Sequence, residues 1–288
     1  MKISEILSKN EPSVSFEVFP PKRDTPMEPV MAAVEQISRA KPSFISVTYG
    51  AGGGANTNTL TLAEHVQKTC GVPALAHLTC LGSSKEKIAS EISQLRKAGI
   101  ENILCLRGDN PGGTECAETH DFAHAADLVS YLRPSNFCLG GACYPECHPE
   151  CEHLQTDIAN LKAKVEAGLD FLATQMFFDN NVYFRYLAHL RNAGITIPVI
   201  AGIMPVTNGR QIARICKISG SVLPPRFRAI VDRFGDDPAS MLSAGIAYAT
   251  EQIIDLFADG VKAVHVYTMN KSEVAAKIMD NLEGIVRR

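Results

Sequence analysis

Eight short apolar runs recur along this 288-residue chain, and most of them begin about thirty residues after the start of the preceding run. Most of the runs are almost continuously apolar rather than alternating, as expected for parallel strands that are covered on both faces. The runs occupy residues 14–19, 44–49, 73–79, 102–107, 137–143, 171–177, 197–203 and 263–268. This spacing predicts a series of repeated βα units.

The segments between the runs have the apolar periodicity of helices. Apolar residues within 31–37 recur at three-residue steps, and those within 88–95 and 154–165 recur at steps of three and four. After the last run, Asn270 and Glu273 predict a helix N-cap with its reciprocal acid. Each of these helices can therefore cover one face of a sheet.

The expected fold class is α/β, with a single domain over residues 1–288, because no linker rich in proline, glycine or serine divides the chain. Eight βα units predict a (β/α)8 TIM barrel. About sixty residues separate the last two strands, so extra helices are expected there. A doubly wound parallel sheet is the alternative.

The composition argues against several functional classes. The net charge is -3, tryptophan is absent and aromatic residues make up 7%, so no nucleic-acid partner is expected. No apolar run is long enough to cross a bilayer, and residues 1–7 lack the apolar core of a signal peptide. Nine cysteines, an odd number, indicate reduced thiols in a cytoplasmic protein.

The first apolar run contains one carboxylate, Glu17, within the sequence SFEVFPP. Burying a carboxylate in an apolar strand is costly unless the charge is paired. One interpretation is a glutamate that pairs with an arginine or lysine at a strand edge. The other is an acid that burial keeps protonated near neutral pH, so that it can deliver a proton. The run alone leaves both interpretations open.

Polar residues stand at or near the carboxyl ends of most runs, and a barrel brings these ends to one rim. They are Glu17, Thr48, His77, Arg107 with Asp109, Tyr144 with His148, Gln175, and Thr268 with Asn270. Each alone has an explanation as a strand-end hydrogen bonder. Their recurrence on one rim predicts a binding site.

Residues 52–54 are three consecutive glycines after the second run, which would let a flat ligand or a phosphate approach the backbone. A flexible connection explains them equally well, because neither GxGxxG nor GxxxxGK[ST] is present. Arg107 and Asp109 are interpreted as a fixed charge pair for a polar ligand rather than as part of an adhesion motif.

Asp157, Asn160 and Lys164 form a polar stripe at i, i+3 and i+7 on the predicted helix after the fifth strand. A solvated helix face explains such a stripe. Its nearness in sequence to Tyr144 and His148 also makes it a possible wall for an extended, charged cofactor.

A cluster of cysteines and histidines between residues 143 and 153 has the elements of a metal site. Its spacing matches none of the common zinc patterns, and prolines at positions 145 and 149 interrupt any helix that would align the ligands. No metal site is therefore predicted.

Eight segments resemble, in order and spacing, the motifs of the bacterial methylenetetrahydrofolate reductases. They are SFEVFPP, SVTYGAGG, AHLTC, LRGDNP, ACYPECHPE, DFLATQMFFD, GIMPVTN and VHVYTMN, and they span residues 15–271. The resemblance implies a barrel that binds FAD non-covalently, usually as a homotetramer, without the large regulatory domain of eukaryotic relatives. It implies reduction of 5,10-methylenetetrahydrofolate to 5-methyltetrahydrofolate in one-carbon and methionine metabolism, with NADH or NADPH reducing the flavin in a ping-pong scheme.

The resemblance also implies roles for individual residues. Glu17 resembles the general acid that protonates the folate, Asp109 the carboxylate that contacts the pterin and tunes the flavin, and Gln175 the amide that orients folate and contacts nicotinamide. The substrate-contact positions are Glu17, Thr48, Asp109, Gln175, Gln211 and Lys271. The FAD-lining positions are Thr48, Tyr49, Ala51, His77, Arg107, Gly108, Asp109, Ala125, Tyr144, His148, Cys151, Asp157, Asn160 and Lys164.

Two positions depart from the enterobacterial pattern of the family. Ile215 stands where a phenylalanine packs on folate or nucleotide, and Lys271 replaces an arginine near the folate. These changes leave the electron donor open. The alternative is a catalytic subunit that receives electrons from an iron-sulfur or ferredoxin-type partner, and a third interpretation is a non-enzymatic barrel that binds folate or stores metal.

Overall fold

A closed barrel of eight parallel strands forms the centre of the computed structural model, which describes residues 1–21, 25–49, 56–108 and 121–286. Each strand pairs with its neighbours in chain order, and the last strand pairs with the first. The strands are β1 (Ser13–Val18), β2 (Ile45–Val47), β3 (Ala74–Thr79), β4 (Asn102–Leu106), β5 (Cys138–Cys143), β6 (Phe171–Thr174), β7 (Val199–Ile203) and β8 (Ala263–Tyr267). The barrel prediction is confirmed, and the doubly wound alternative is wrong.

Helices surround the barrel and close its lower end. They are α1 (Ile3–Leu7), α2 (Glu28–Ser38), α3 (Asn56–Glu64) with a following π-helical turn (His65–Thr69), α4 (Lys85–Lys97), α5 (Ala125–Leu132) with a 3-10 turn (Arg133–Ser135), α6 (Leu154–Glu166), α7 (Asn180–Asn192), α8 (Gly209–Ser219), α9 (Pro225–Phe234), α10 (Pro238–Ala258) and α11 (Ser272–Asn281). The helices α8, α9 and α10 lie between β7 and β8, as predicted. In the described parts of the chain, none of the helices has the combination of length and apolar character that crossing a membrane requires.

The last helix does not begin as the sequence predicts. The N-cap of α11 is Lys271, which makes no capping side-chain hydrogen bond. The side chain of Asn270 instead accepts from the Phe19 N–H at 2.8 Å and donates to the Phe19 carbonyl at 2.9 Å. Asn270 has a left-handed backbone with a φ of 59°, so the chain turns over the end of β1 before the helix starts.

The inside of the barrel has an apolar lower part and a polar upper part. Ile3 on α1 is fully buried in the lower part, in a cluster with Phe44 and Phe171. Side chains alternate along each strand, so Ser15 and Glu17 on β1 point into the barrel while the residues between them face the helices. Parallel strands all end on the same side, and the polar side chains gather there.

Candidate functional site

A cavity of about 210 Å³ opens inside the upper half of the barrel. Its wall includes Glu17 on β1, His77 on β3, Tyr144 after β5 and Gln175 after β6. The main-chain N–H of Gln175 donates to the Cys143 carbonyl at 2.7 Å, which ties the end of β6 to β5. The structure therefore brings predicted rim residues from four βα units around one space.

Glu17 is buried, with 8% of its surface exposed, and its Oε2 atom faces histidine and serine side chains. This oxygen lies 3.4 Å from Ser46 Oγ, 3.6 Å from His77 Nε2 and 3.8 Å from His265 Nε2. Across the described ranges, no lysine or arginine forms an ion pair with Glu17. The interpretation of Glu17 as the partner of a lysine or arginine is therefore wrong for the part of the chain that the structure describes.

His77 is buried beside Glu17 and is neutral near pH 7. Burial lowers the pKa of His77 from 6.5 to about 4; the Glu17 carboxylate opposes this shift, and His265 adds to it. Within the part of the chain that the structure describes, the Nε2 atom of His77 has no hydrogen-bond partner. A buried polar atom of this kind is available to a polar atom of a bound ligand.

Tyr267 on β8 lines the cavity beside Glu17, its register partner on β1. Its hydroxyl donates to the Thr174 carbonyl at 2.6 Å, and burial raises its pKa well above 10. The phenol therefore stays protonated. The strands approach closely here, because a Cβ at Gly202 would lie 2.3 Å from Thr174 O and 2.5 Å from the Tyr267 oxygen.

A second cavity, of about 450 Å³, lies outside the barrel between the ends of β4 and β5 and the helices α5 and α6. It shares Leu106, Ala142 and Tyr144 with the first cavity, so the two spaces are neighbours across Tyr144. Eight of the residues predicted to line FAD meet in this second cavity. They are Arg107, Ala125, Tyr144, His148, Cys151, Asp157, Asn160 and Lys164. The sequence placed them in four separate segments.

Charged groups of both signs line the second cavity. The Arg107 guanidinium donates two 2.6 Å hydrogen bonds to the Glu150 carboxylate, and these hydrogen bonds lower the pKa of Glu150. Lys164 Nζ donates to the Ala142 carbonyl at 2.6 Å, and burial lowers the pKa of Lys164. A cavity lined by two basic side chains and by the carboxyl groups of Glu150 and Asp157 is suited to a charged ligand.

The loop after β5 is fixed against α6 by the predicted polar stripe. Asp157 accepts a hydrogen bond from the His148 N–H at 3.0 Å, and burial raises the pKa of Asp157. The rings of Tyr144 and His148 meet edge to face at 4.6 Å between centroids. Asn160 donates its amide to the Cys151 thiol at 3.9 Å. The stripe therefore contacts the loop and lines the cavity rather than forming only a solvated face.

Several predicted site residues lie elsewhere. Tyr49 turns its hydroxyl toward α4 and donates to Glu91 Oε1 at 3.3 Å. Gln211 is exposed on α8, and Lys271 Nζ donates to Thr207 Oγ1 at 2.7 Å. The two cavities have none of these three residues in the described part of their walls.

Four further positions complete the comparison with the sequence. Thr48 follows the last residue of β2, and its N–H donates to the Val18 carbonyl at 3.1 Å. Gly108 follows Arg107 with a φ of 93°, and a Cβ there would lie 3.2 Å from Thr79 Cβ, so a glycine suits the position. Ala51 and Asp109 lie outside the described residues.

Ser46 and His265 are site residues that the sequence analysis did not identify. Both line the upper barrel beside Glu17, and both sit within apolar runs. Alternation along the strand was the available signal for Ser46, which is two residues before Thr48, whereas His265 is five residues before Asn270 and had no such signal.

The fold and the site together define a TIM-barrel protein with a polar, partly titratable pocket at the carboxyl ends of its strands, the face where enzymes of this fold bind their substrates. Residues 2–283 match the family model described as "Methylenetetrahydrofolate reductase". The chain belongs to the methylenetetrahydrofolate reductase family.

Curated relatives agree with this assignment. The chain is 34% identical over 271 residues to 5,10-methylenetetrahydrofolate reductase of Escherichia coli (strain K12), covering 94% of this chain and 90% of that protein. It is 33% identical over 295 residues to methylenetetrahydrofolate reductase (NADH) 1 of Arabidopsis thaliana, covering 98% of this chain. The chain spans about half the length of the plant relatives that it matches.

A solved structure shows the same fold at low identity. An uncharacterised protein from Clostridium thermocellum, which binds two copies of 5-methyl-5,6,7,8-tetrahydrofolic acid, superposes with a TM-score of 0.69 at 12% identity. The match covers 99% of this chain and 100% of that one. At this identity the likeness extends to the fold alone.

Proposed function

We propose that this chain reduces 5,10-methylenetetrahydrofolate to 5-methyltetrahydrofolate with a bound FAD and NADH or NADPH. The observation that carries the proposal is the buried Glu17, which faces a barrel cavity adjoining a second, charged cavity. An acid beside an elongated pair of cavities suits a reaction that needs one proton and a large cofactor. Membership of the reductase family supports the same reaction.

The second cavity fits FAD by the chemistry of its walls. Arg107 and Lys164 would supply positive charge for the pyrophosphate, and Ala125 is the first residue of α5, at the helix end that favours an anion. Tyr144 would meet the flavin end, since it belongs to both cavities. When bound, the flavin supplies hydride transfer, and the protein supplies orientation, a proton and local electrostatics.

Glu17 is the proposed general acid. Its carboxyl group faces the barrel cavity, with the neutral His77 and the hydroxyl of Ser46 as neighbours. A protonated Glu17 can deliver its proton to a nitrogen of the folate's five-membered ring, which opens the ring to the 5-iminium cation that accepts hydride. The water-poor interior of the barrel limits loss of that proton to solvent.

Gln175 and Asp109 are the proposed orienting groups. Gln175 lines the barrel cavity opposite Glu17, where its amide can hydrogen-bond the pterin in one half-reaction and the nicotinamide in the other. Asp109 is proposed to contact the pterin and to favour the cationic iminium. Thr48, Gln211 and Lys271 are proposed to complete the folate and nucleotide contacts at the outer rim, and Tyr49, Ala51, His77 and Gly108 to line the flavin.

We further propose that residues 1–288 act as one catalytic barrel domain, as a cytoplasmic homotetramer. The single closed barrel supports the first statement, since its two cavities and the proposed acid belong to one described unit. Sedimentation velocity of the purified protein measures the oligomer: a tetramer mass is expected, and a monomer mass contradicts the proposal.

The proposal is tested by an absorption spectrum and by anaerobic reduction. The purified protein should be yellow, with one FAD released per chain on denaturation, and NADH or NADPH should bleach the flavin band. A protein that takes up no FAD on reconstitution contradicts the cofactor assignment. A bound flavin that only an artificial donor reduces contradicts direct reduction by nucleotide and favours a partner that donates electrons.

A further inference from the structure

A continuous chain of buried polar groups leads from Glu17 into the wall of the barrel. Glu17 Oε2 lies 3.4 Å from Ser46 Oγ, which lies 2.9 Å from His265 Nε2. On the other side of the ring, His265 Nδ1 lies 2.7 Å from Ser15 Oγ. The Ser15 hydroxyl in turn donates to the Val264 carbonyl at 3.1 Å. This series of polar groups crosses three neighbouring strands, β8, β1 and β2.

The direction of these hydrogen bonds follows from the number of protons available. Ser15 has one hydroxyl proton, and it goes to the Val264 carbonyl, which can only accept. With Ser15 donating to Val264, its Oγ accepts from His265 and the ring carries its proton on Nδ1; the opposite direction, from Ser15 to Nδ1, is the outcome that the ¹⁵N measurement below would detect. The Nε2 atom of a neutral His265 is then an acceptor, and Ser46 can donate its single proton either to Nε2 or to Glu17.

We propose that Ser46 and His265 are positioning residues that hold the exchangeable proton of Glu17. The inference rests on the proposed function, because it gives the acid of that reaction an internal partner. Two arrangements of the protons are compatible with these hydrogen bonds. In one, Glu17 is protonated and Ser46 donates to His265. In the other, Glu17 is ionised, His265 carries a proton on both nitrogens and donates to Ser46, and Ser46 donates to Glu17.

The two arrangements contain the same number of protons. One proton leaves Glu17 Oε2 for Ser46 Oγ while the hydroxyl proton of Ser46 leaves for His265 Nε2, and the reverse step returns both. The proton therefore stays inside the barrel while a ligand covers the mouth. The folate half-reaction consumes it through Glu17, and Glu17 takes up another from solvent after product leaves.

The other groups that face Glu17 cannot take this role. His77 Nε2 is farther from Glu17 Oε2, at 3.6 Å against 3.4 Å for Ser46 Oγ, and burial lowers the pKa of His77 to about 4. Tyr267 commits its hydroxyl proton to the Thr174 carbonyl. His265 is held in place instead: its ring stacks on Phe44 with 5.4 Å between centroids and 13° between the planes.

The first test reads the proton positions without any reaction. In protein carrying ¹⁵N-labelled histidine, the His265 signals should show a proton on Nδ1 at neutral pH. Ser15→Ala removes the acceptor for that proton and should shift the protonation toward Nε2. A wild-type ring that carries its proton only on Nε2 overturns the inference, because Nε2 then donates to Ser46 Oγ and cannot take up the Ser46 hydroxyl proton.

The second test measures the folate half-reaction by stopped flow, with flavin-loaded protein. Ser46→Ala and His265→Gln should each slow it about tenfold and leave the nucleotide half-reaction unchanged. The double variant should be no slower than either single variant, because both break the same link. Ser46→Thr restores a hydroxyl and should recover most of the rate.

The matched control is Thr250→Val, which removes a buried hydroxyl on α10 that bonds Asn281 and has no link to Glu17. It should leave both half-reactions unchanged. If Ser46→Ala and His265→Gln lower thermal stability without slowing the folate half-reaction, the polar groups have only a structural role and the inference is overturned. The inference is also overturned if these variants slow both half-reactions equally. If 5,10-methylenetetrahydrofolate does not oxidise the reduced flavin of the wild-type protein, the proposed function is contradicted. The ¹⁵N measurement still tests the proton positions in that case, because it needs no reaction.

Discussion

His77 makes the stability of the folded protein sensitive to acid. Its folded pKa of about 4 lies below the unfolded value of 6.5, so the unfolded chain binds a proton that the folded chain rejects. The contribution of neutral His77 to the unfolding free energy is therefore fully present above pH 6.5 and is lost as the pH falls toward 4. The unfolding free energy of wild type should fall between pH 7 and pH 5. In His77→Gln this fall should be smaller by about 2 kcal/mol, because the variant has no histidine to protonate on unfolding.

Guanidinium unfolding of the cofactor-free protein at the two pH values measures this difference. His189→Gln, on an exposed position of α7, is the control and should leave the pH dependence of wild type intact. An unchanged dependence in the His77 variant would mean that the ring accepts a proton in the folded protein.

The residue scale also shows the limit of sequence reasoning. Glu17 was identifiable because one carboxylate interrupts an apolar strand, and burying it requires a reason. The contact of Ser46 and His265 with Glu17 was not identifiable, because it depends on the register between β1 and its neighbours β2 and β8. Register across a barrel is set by the packing of all eight strands and is not carried by any single run.

At the scale of the elements, Gly202 is where β7 comes closest to its neighbours. An added Cβ would meet Thr174 O at 2.3 Å and the Tyr267 oxygen at 2.5 Å, so Gly202→Ala must break the hydrogen bond between those two groups or move a strand. We expect a loss of about 2 kcal/mol in unfolding free energy. Gly284→Ala is the control, since a Cβ there meets no atom within 4 Å, and it should change stability by less than about 0.5 kcal/mol.

Asn270 joins the segment after β8 to the segment after β1, so it helps to close the barrel at the site. Asn270→Gly removes two hydrogen bonds to Phe19 and should cost about 2 kcal/mol of unfolding free energy. Asn270→Ala loses the same bonds and also places an alanine at a φ of 59°, which should cost about 1 kcal/mol more. Chemical denaturation compares the variants; equal stability of both with wild type would show that the contact with Phe19 contributes nothing.

The elements themselves were predictable in kind and place, but not their ends. The second apolar run continues to residue 49, whereas β2 ends at Val47; the sixth continues to residue 177, whereas β6 ends at Thr174. Apolar residues beyond a strand end pack against helices, as Phe177 stacks on Tyr183 of α7 at 5.2 Å. Hydrophobic pattern reports burial and does not report where the ladder of hydrogen bonds stops.

For the whole molecule, the spacing of the apolar runs was enough to predict the closed barrel and the side on which its site lies. It was not enough to predict two neighbouring cavities that share Tyr144, because the second cavity forms between α5 and α6 outside the barrel. That arrangement joins the proposed acid to the proposed cofactor site. In the proposed function, both cavities serve one reaction: the barrel cavity would hold the substrate and the second cavity the cofactor.

The central claim is that Glu17 is the acid of the folate half-reaction and has no part in reduction by nucleotide. The measurement is stopped-flow oxidation of the reduced flavin by 5,10-methylenetetrahydrofolate under anaerobic conditions, compared between wild type and Glu17→Gln. We expect the variant to lose at least about a hundredfold in this rate, while NADH or NADPH still reduces its flavin within a few fold of wild type. A Glu17→Gln protein that oxidises its flavin with folate as fast as wild type would contradict the claim.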